Sequence, residues 1–227
     1  MTISVVIPVL DEAARIGHRL RELASHDVAE VIVVDGGSRD ATCDVVRDHP
    51  GARLVTAERG RGRQLNAGAR AAAGDVLVFL HADVALPADA TTWIARALAD
   101  PQVVAGAFRI RTVADAGRNR LGPLLRLADL RSRVTRLPYG DQALFVRRTA
   151  FETAGGFPDE PLMEDVALAR RLRRIGRIVT VPAYVRVSGR RFLRRPITST
   201  LAMWTFPMLH RLGVPPSLLA RLYGNPR

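Results

Sequence analysis

The sequence predicts an α/β fold in which helices cover both faces of a Rossmann-like, mostly parallel, doubly wound sheet. Short runs of apolar, often β-branched residues alternate with helical segments through the first half of the chain. This order places strands side by side in parallel. The 227 residues, 48% of them hydrophobic, are enough to bury one substantial core. We therefore expect a single domain over residues 1–227.

Five strands and four helices are predicted in the first half. The first helix has clear periodicity, since Ile16, Leu20 and Leu23 recur at spacings of four and three on one face. The predicted strands are Ser4–Pro8, Glu30–Asp35, Arg53–Thr56, Val76–Leu80 and Val103–Arg111. The predicted helices are Asp11 to about Ala24, Asp40–Arg47, Arg63–Ala73 and Pro87–Leu98, with Pro87 in a first turn.

The alternation ends after residue 111. Arg118–Arg136 and Glu164–Ile175 are predicted to be helical and Gln142–Arg147 extended, with no evident linker or internal repeat. We interpret residues 112–190 as an elaborated second half and residues 191–227 as a C-terminal helical tail.

Charge is distributed unevenly along the chain. All 34 basic residues are arginine, and the net charge is −3 over residues 1–100 but +15 over residues 101–227. A solvated surface in an arginine-rich protein explains this without any partner. A basic face also attracts anionic lipid, a phosphorylated partner or nucleic acid. Nucleic acid is disfavoured, because aromatic residues make up only 5% of the chain and no recognition motif occurs.

Cysteine usage and apolar runs bear on localisation. Cys43 is alone, so no internal disulfide forms and a reducing, cytoplasmic compartment is expected. Thr2–Leu10 lacks the basic start of a signal peptide and is interpreted as a buried strand. No run of eighteen apolar residues predicts a spanning helix. The uncharged tail Ile197–Leu209 fits peripheral contact with the inner face of an anionic membrane, or a helix packed on the domain or on a homodimer partner.

Polar or glycine-containing segments follow the first four predicted strands. Ligands of open α/β sheets bind outside the carboxyl ends of the strands, where glycines allow close backbone approach and helix N-termini offer N–H groups to phosphate. His81 and Asp83 alternate with period two, so they share one face and are potential metal ligands. The four segments are Pro8–Glu12, Asp35–Ser38, Arg59–Asn66 and His81–Asp83. Together they predict a nucleotide pocket.

Two other nucleotide-binding classes do not fit this pattern. A dinucleotide-binding dehydrogenase needs Gly-x-Gly-x-x-Gly after the first strand, and the turn Pro8–Glu12 contains no glycine. Gly60 and Gly62 begin a different turn and lack the third glycine. A P-loop is excluded because no Gly-Lys-Ser/Thr occurs.

An ordered set of motifs over roughly residues 3–176 resembles a family 2 glycosyltransferase with the GT-A fold. Each motif alone is weak, whereas their shared order is specific. The closing Leu222-Tyr223-Gly224-Asn225 resembles a small bacterial branch of unknown acceptor. The motifs are Val5–Glu12, Val33–Asp40, Gly60–Gly68, Phe79–Asp83, Gly155–Pro158 and Met163–Leu172.

The resemblance implies a nucleotide-sugar-binding half over residues 1–111 and an acceptor and catalytic half over residues 112–190. Pro8, Val9 and Glu12 would line the nucleoside pocket, and Asp35 with Gly37 would lie at the base or ribose. Further donor contacts are implied for Arg63, Asn66, His81, Ala82 and Asp83. Asp141 and Gln142 are either a plain turn or contacts to donor or acceptor.

The resemblance also implies a divalent cation, Mn²⁺ or Mg²⁺, bridging the donor diphosphate, with Asp83 and His81 as its protein ligands. His81 departs from the family's aspartate and suits Mn²⁺ better than Mg²⁺. Gly36 stands where many members have an aspartate that reads uracil, so both UDP-type and GDP-type donors stay open. Arg190 or Arg191 is an alternative means of neutralising the diphosphate.

The acidic pair Glu164-Asp165 matches the family's catalytic base, and we assign the base to Asp165. An ordinary aspartate pKa of about 3.9 keeps it ionised at neutral pH, and a position in the first turn of a helix favours the anion. One base opposite the diphosphate implies single displacement with inversion at the anomeric carbon. The acceptor is an unknown hydroxyl, lipid-linked in one version. The alternative is a nucleotide-binding or membrane-associated scaffold that has lost turnover.

Overall fold

The computed structural model describes residues 1–113, 129, 138–189, 205–206, 208–210 and 212–223. Within these ranges the strands are β1 Ile3–Val9, β2 Glu30–Asp35, β3 Ala52–Thr56, β4 Val76–Phe79, β5 Val84–Ala85, β6 Val103–Val113, β7 Leu144–Arg147 and β8 Arg177–Ser188. The helices are α1 Ala13–Leu23, α2 Thr42–Arg47, α3 Arg61–Ala71, α4 Ala90–Ala97, α5 Arg148–Thr153, α6 Glu164–Ile175 and α7 Pro216–Tyr223, and a short 3-10 helix spans Gly140–Gln142.

The strands form an eight-stranded mixed sheet in the order β3-β2-β1-β4-β7-β6-β8-β5. β1 pairs in parallel with β2 and β4, and β2 in parallel with β3. β7 runs antiparallel to both β4 and β6, while β6 and β8 are parallel to each other. The carboxyl ends of β1, β2, β4, β6 and β8 therefore lie at the same edge of the sheet.

Two cores pack against the two faces of the sheet. Side chains alternate along each strand, so Val5 and Ile7 join one core with α1 and α4, whereas Val6 joins the other with α3 and α6. Gly68 sets the distance between α3 and the sheet, because a β-carbon there would lie 2.3 Å from Cγ1 of Val6. Close packing of α3 fixes where its N-terminal residues meet the strand ends.

The predicted fold class is confirmed. The differences lie at element ends and in the second half. α3 begins at Arg61, two residues before the predicted start, because Gly60 precedes it with a positive φ of 144°. Gln142 belongs to the 3-10 helix, and the predicted strand starts only at Leu144. β5 and β8 were not predicted, since one has two residues and the other contains Pro182.

Some predictions lie mostly or wholly outside the described residues. Of the predicted helix Arg118–Arg136, only Asp129 is described, and Arg190 and Arg191 lie outside the described ranges. The division at residues 111 and 190 stays a prediction. Across the part of the chain that the structure describes, no helix is long and apolar enough to cross a membrane.

Candidate active site

An open hollow lies at the edge where the carboxyl ends of β1 and β4 meet. The space between its protein atoms, including the part open to solvent, totals about 480 Å³. Its lining residues are Pro8, Val9, Leu10, Glu12, Arg61, Gln64, His81, Ala82 and Asp83. Six of the residues predicted to bind the donor are thus gathered in one place.

Hydrogen bonds between neighbouring turns hold the loop after β1. The backbone N–H of Asp11 donates to Oγ of Ser38 at 2.9 Å, and Oδ1 of Asp11 accepts from the N–H of Arg39 at 2.8 Å. The N–H of Glu12 donates to Oγ1 of Thr42 at 2.8 Å. These contacts fix Glu12, a buried acid, at the wall of the hollow.

Asp35 lies at the end of β2 and is buried. Its Oδ2 accepts from the N–H of Gly37 at 2.9 Å, and its carboxylate also accepts from the N–H and hydroxyl of Ser38. Gly37 has a φ of +93° that favours glycine. Asp35 and Gly37 therefore form one tight turn beside the hollow, and neither is among the residues that line it.

Gln64 closes the floor between β1 and β2. Its Nε2 donates to the carbonyls of Val9 and Val34, both at 2.8 Å, and the side chain is buried. A β-carbon on Gly36 would lie 2.9 Å from Oε1 of Gln64. The missing aspartate at position 36 thus has a steric reason, because Gln64 occupies the space that any side chain there would need.

The segment His81-Ala82-Asp83 is held from two sides. On one side, Nε of the buried Arg19 in α1 approaches the carbonyl of Ala82 at 3.4 Å, while the same guanidinium pairs with Glu22. Burial lowers the pKa of Arg19, and the charges of Glu22 and Asp83 oppose that shift. On the other side, the N–H of Ser188 in β8 donates to the carbonyl of Asp83 at 3.1 Å. The backbone that carries Asp83 is therefore fixed in place.

Glu164 is an interior acid that forms an ion pair with Arg61. It is only 1% exposed, and Nη1 of Arg61 lies 3.2 Å from its Oε1. Arg61 is 27% exposed and lines the hollow. Breaking a buried pair of this kind is costly, since it leaves an uncompensated charge. Glu164 thus orients Arg61 toward the hollow and is itself closed to a substrate.

Asp165 occupies the first turn of α6 and keeps part of its surface open. Its Oδ2 accepts from the N–H of Gly140 at 2.5 Å, and its Oδ1 accepts from the N–H of Val166 at 2.7 Å. Burial, and next the charge of Glu164, raise the pKa of Asp165 to about 6, against the lowering effects of the Gly140 hydrogen bond and of Arg61. A carboxylate with such a pKa is ionised at neutral pH and accepts a proton more readily than an ordinary aspartate.

Gly140 brings this carboxylate beside the hollow. A β-carbon on Gly140 would lie 3.0 Å from Nε2 of His81 and 3.3 Å from Oδ2 of Asp165. The 3-10 helix that carries Gly140 is anchored by Gln142, whose Nε2 donates to the carbonyl of Phe108 at 3.0 Å. Gln142 is buried and Asp141 half-buried in the same short helix.

Left-handed backbone marks three of the segments that meet here. Among the described residues, the non-glycine residues with positive φ are Asp11 at 53°, Ala143 at 48° and Met163 at 67°. They directly adjoin Glu12, Gln142 and Glu164. Such conformations carry strain and cluster at functional sites.

Arg63 and Asn66, like Asp35 and Gly37, do not line the hollow. Arg63 binds Asp159 through Nε and Nη2, at 2.8 and 2.6 Å, and pairs with Glu58. Asn66 uses both amide atoms on the backbone of Phe157, donating to its carbonyl at 2.8 Å and accepting from its N–H at 2.9 Å. Both residues line a separate hollow on the outer side of α3. Their donor roles stay predictions.

Sequence reasoning passed over Arg61, Gln64, Gly140 and Arg19. Arg61 and Gln64 lie within the motif Gly60–Gly68. The predicted helix started at Arg63, two residues after the observed start at Arg61. Gly140 carries no chemical side chain, and its role depends on a backbone N–H that no sequence pattern marks. Arg19 has the signature of an ordinary exposed helix residue, and only its burial beneath Ala82 distinguishes it.

Side chains of the types that ligate divalent cations, Asp83, His81 and Glu12, line the hollow. No hydrogen bond to the Asp83 carboxylate is recorded from the described residues, and Asp83 lines the same wall as His81 and Glu12. Within the described ranges no group of three or more histidine, cysteine or acidic side chains lies close enough to hold a metal. A cation here would therefore take ligands from water and from a bound diphosphate as well.

The described residues thus combine a mixed α/β sheet, an acid-lined hollow at its strand ends and a carboxylate of raised pKa beside that hollow. Residues 4–155, about two thirds of the chain, match the family described as Glycosyl transferase family 2. The chain belongs to glycosyl transferase family 2, and both the predicted family and the predicted enzyme class are confirmed.

Solved structures with a similar fold support this placement. A mannosyltransferase from Pyrobaculum calidifontis, bound to GDP-Man and Mn²⁺, is 27% identical with a TM-score of 0.69, over 97% of this chain and 67% of that one. TarS 1-349 from S. aureus, bound to UDP-GlcNAc, is 21% identical with a TM-score of 0.64, over 83% of this chain and 58% of that one.

A third structure is glucosyl-3-phosphoglycerate synthase from Mycobacterium tuberculosis, bound to Mn²⁺, UDP-glucose and phosphoglyceric acid. It is 24% identical with a TM-score of 0.61, over 94% of this chain and 80% of that one. The chain thus spans little more than half the length of TarS 1-349 and more of the synthase. Among curated proteins, none matches this chain in sequence.

Proposed function

We propose that this chain transfers a sugar from a nucleoside diphosphate donor to a hydroxyl acceptor, in a single displacement that inverts the anomeric carbon. The observation behind the proposal is the convergence of Asp165, His81 and the Asp83 hollow at one sheet edge. Similar proteins were solved with UDP-GlcNAc, GDP-Man and UDP-glucose, so both UDP-type and GDP-type donors are candidates.

The donor would occupy the hollow between β1 and β4. The backbone at Pro8 and Val9 and the side chain of Glu12 form the wall for the nucleoside. Arg61 would meet the diphosphate, since it is the guanidinium that lines this hollow and Glu164 holds it in place. An arginine fork makes strong charge-assisted hydrogen bonds to phosphate oxygens.

Asp83 and His81 would hold the cation. Imidazole with carboxylate fits Mn²⁺ better than Mg²⁺, and Mn²⁺ is present in the mannosyltransferase and synthase structures. When bound, such a cation stabilises negative charge on the departing diphosphate. Arg61 adds a cation for the same charge, and its ion pair with Glu164 orients it.

Asp165 would act as the general base for the acceptor hydroxyl. Its carboxylate accepts from two backbone N–H groups, and the residue as a whole is half-buried. Glu164 does not fit that role, because it is closed off and committed to Arg61. With Asp165 taking the proton of the acceptor hydroxyl, the acceptor oxygen attacks the anomeric carbon directly as the nucleoside diphosphate leaves, and a single displacement with inversion is the expected course.

A thermal-shift panel of nucleoside diphosphates with and without Mn²⁺ tests the donor part of the proposal. We expect one base to raise the melting temperature, and Mn²⁺ to enlarge that rise in the wild type but not in the Asp83→Ala variant. Gly51→Ala, at an exposed turn, is the control for a harmless substitution. If no nucleoside diphosphate stabilises the protein with or without Mn²⁺, the proposed function is wrong.

The second candidate is a nucleotide-binding scaffold without turnover. It is favoured by His81 in place of an aspartate and by Gln64 filling the space beside Gly36. This candidate predicts a nucleotide-dependent thermal shift with no donor hydrolysis or transfer. An active transferase would show both the thermal shift and turnover of the donor.

Membrane contact, a lipid-linked acceptor and a homodimer stay proposals. The segment Ile197–Leu209 is described only at Thr205–Phe206 and Met208–Leu209. Phe206 is buried against Leu219 and packs near Met163, the residue before Glu164. That contact favours a tail packed on the domain at this residue.

A further inference from the structure

Two arginines share one tyrosine ring near the end of the sheet. The guanidinium of Arg111 lies 4.9 Å from the ring centroid of Tyr184, and that of Arg109 lies 6.0 Å from it. Arg111 is exposed, and the other two residues are half-buried. Among the described residues, neither guanidinium has an ion pair with a carboxylate. Asp129, the acid that approaches β6 here, accepts from the N–H and hydroxyl of Thr112.

Strand alternation places this cluster on the face of the sheet that α6 covers. Phe108, Ile110 and Val185 belong to the core on the α1 side. Arg109, Arg111 and Tyr184 alternate with them and therefore point to the opposite face, where Leu168 and Leu172 of α6 pack.

The cluster also lies toward the edge of the sheet that carries Asp165. β6 and β8 run in the same direction as β4, and the pairing of Arg109 with Tyr184 falls in the carboxyl half of both strands. α6 leads through Gly176 directly into the start of β8, so Asp165, in the first turn of α6, lies at the opposite, carboxyl end.

Two hydrogen bonds from the short 3-10 helix connect the strand that carries the cluster with the proposed base. Gln142 donates to the carbonyl of Phe108, the residue before Arg109. Two positions before Gln142, the N–H of Gly140 donates to Asp165. None of the three cluster residues lines the hollow between β1 and β4, so the cluster is separate from the place assigned to the donor.

We infer that Arg109 and Arg111, stacked against Tyr184, bind an anionic group of the acceptor, a phosphate or a carboxylate, and so direct its hydroxyl toward Asp165. The inference rests on the proposed function. Two guanidiniums near one aromatic ring are like charges that repel each other, and an anion bound to both relieves that repulsion. Arginine presents a planar fork that matches phosphate and carboxylate oxygens, and the aromatic face orients it.

The test is isothermal titration calorimetry on the full chain, saturated with Mn²⁺ and with the nucleoside diphosphate that the thermal-shift panel selects, so that the donor place is filled. The soluble probe is glycerol 3-phosphate, with glycerol as its neutral match. The lipid probe is phosphatidylglycerol vesicles, with phosphatidylcholine vesicles as their match. The variants are Arg109→Gln, Arg111→Gln and Arg111→Lys, and Arg173→Gln in the exposed last turn of α6 is the matched control.

We expect an anionic probe to bind the wild type and Arg173→Gln equally, and its neutral match not to bind. Arg109→Gln and Arg111→Gln should each weaken that binding by at least about tenfold, the effect of one lost charge-assisted hydrogen bond. Arg111→Lys should lie between them and the wild type. Preference for glycerol 3-phosphate indicates a soluble acceptor, and preference for phosphatidylglycerol indicates a lipid-linked one.

The inference is overturned if neither anionic probe binds the wild type. It is also overturned if Arg109→Gln and Arg111→Gln bind the anionic probe as tightly as the wild type does. Binding of the nucleoside diphosphate is measured in separate titrations of the same proteins. If the wild type binds neither UDP nor GDP, the proposed function is contradicted, whereas nucleoside diphosphate binding with indifferent glutamine variants would count against the arginine pair alone.

Discussion

His81 and Asp165, 84 positions apart in the sequence, face each other across the backbone of Gly140. One lies at the end of β4 and the other at the start of α6. The contact depends on the absence of a side chain at Gly140, since a β-carbon would lie 3.0 and 3.3 Å from their nearest atoms. The relationship joins the wall of the donor hollow to the proposed base.

Gly140→Ala should therefore have a large effect on kcat and a smaller effect on the free energy of unfolding. The new methyl group would push His81 or Asp165 away by a few tenths of an ångström, and a misplaced reacting group is costly in rate. We expect a loss of about tenfold or more in kcat with nucleotide binding largely kept. Gly51→Ala is the control, because its β-carbon would make only an ordinary contact at 3.5 Å. Equal kcat for the two variants would contradict the assignment.

The rate should depend on pH through Asp165. Because burial and the charge of Glu164 raise its pKa to about 6, the base is ionised above that pH, and kcat should fall as pH drops through it. Glu164→Gln removes a charge that raises the pKa and should move the fall to lower pH. Arg61→Gln removes a charge that lowers it and should move the fall to higher pH. Shifts in the reverse directions would contradict the electrostatic arrangement.

Arg61 and Arg63 can be separated by donor affinity. Arg61 lines the hollow, whereas Arg63 is exposed and bound to Asp159 and Glu58. Arg61→Gln should weaken nucleoside diphosphate binding by about tenfold or more, and Arg63→Gln should change it little. Titration calorimetry with the preferred nucleoside diphosphate measures both. A larger loss for Arg63→Gln would restore the sequence-based prediction and remove Arg61 from the donor site.

Gly36 and Gln64 should be energetically coupled. A β-carbon at position 36 would lie 2.9 Å from both Cδ and Oε1 of Gln64, so Gly36→Ala should destabilise the fold by about 1–3 kcal/mol, typical of overpacking. In a Gln64→Ala background the same substitution should cost clearly less. Denaturant unfolding of the four proteins completes the cycle. Additive losses would show that Gln64 does not exclude a side chain at position 36.

The first half of the fold was predictable because its buried parallel strands are continuous apolar runs, as in Val31–Val34. β8 was not, because its alternation of Val181, Ala183 and Val185 is interrupted by Pro182. Residues at strand ends, such as Glu12 and Asp83, were predictable from topology alone, since strand ends meet at one edge.

Other parts of the site depend on contacts that the sequence does not encode locally. The position of Asn66 near the start of a helix suggests a ligand contact. Its two hydrogen bonds to the backbone of Phe157 instead tie α3 to the segment that follows the Gly155-Gly156 turn. Glu164 and Asp165 differ in role because Glu164 pairs with Arg61, whereas Asp165 accepts from the N–H of Gly140. Adjacent acids on one helix cannot be told apart without that geometry.

Donor turnover by Asp165→Asn tests the central claim most directly. Release of nucleoside diphosphate from the preferred nucleotide-sugar is measured beside the wild type and Glu164→Gln, with donor affinity measured in parallel. We predict that Asp165→Asn binds the donor nearly as tightly as the wild type but loses about 10²–10⁴ in rate, the usual contribution of a general base. Glu164→Gln should retain more turnover and lose donor affinity through Arg61. An Asp165→Asn variant with wild-type turnover would contradict the account.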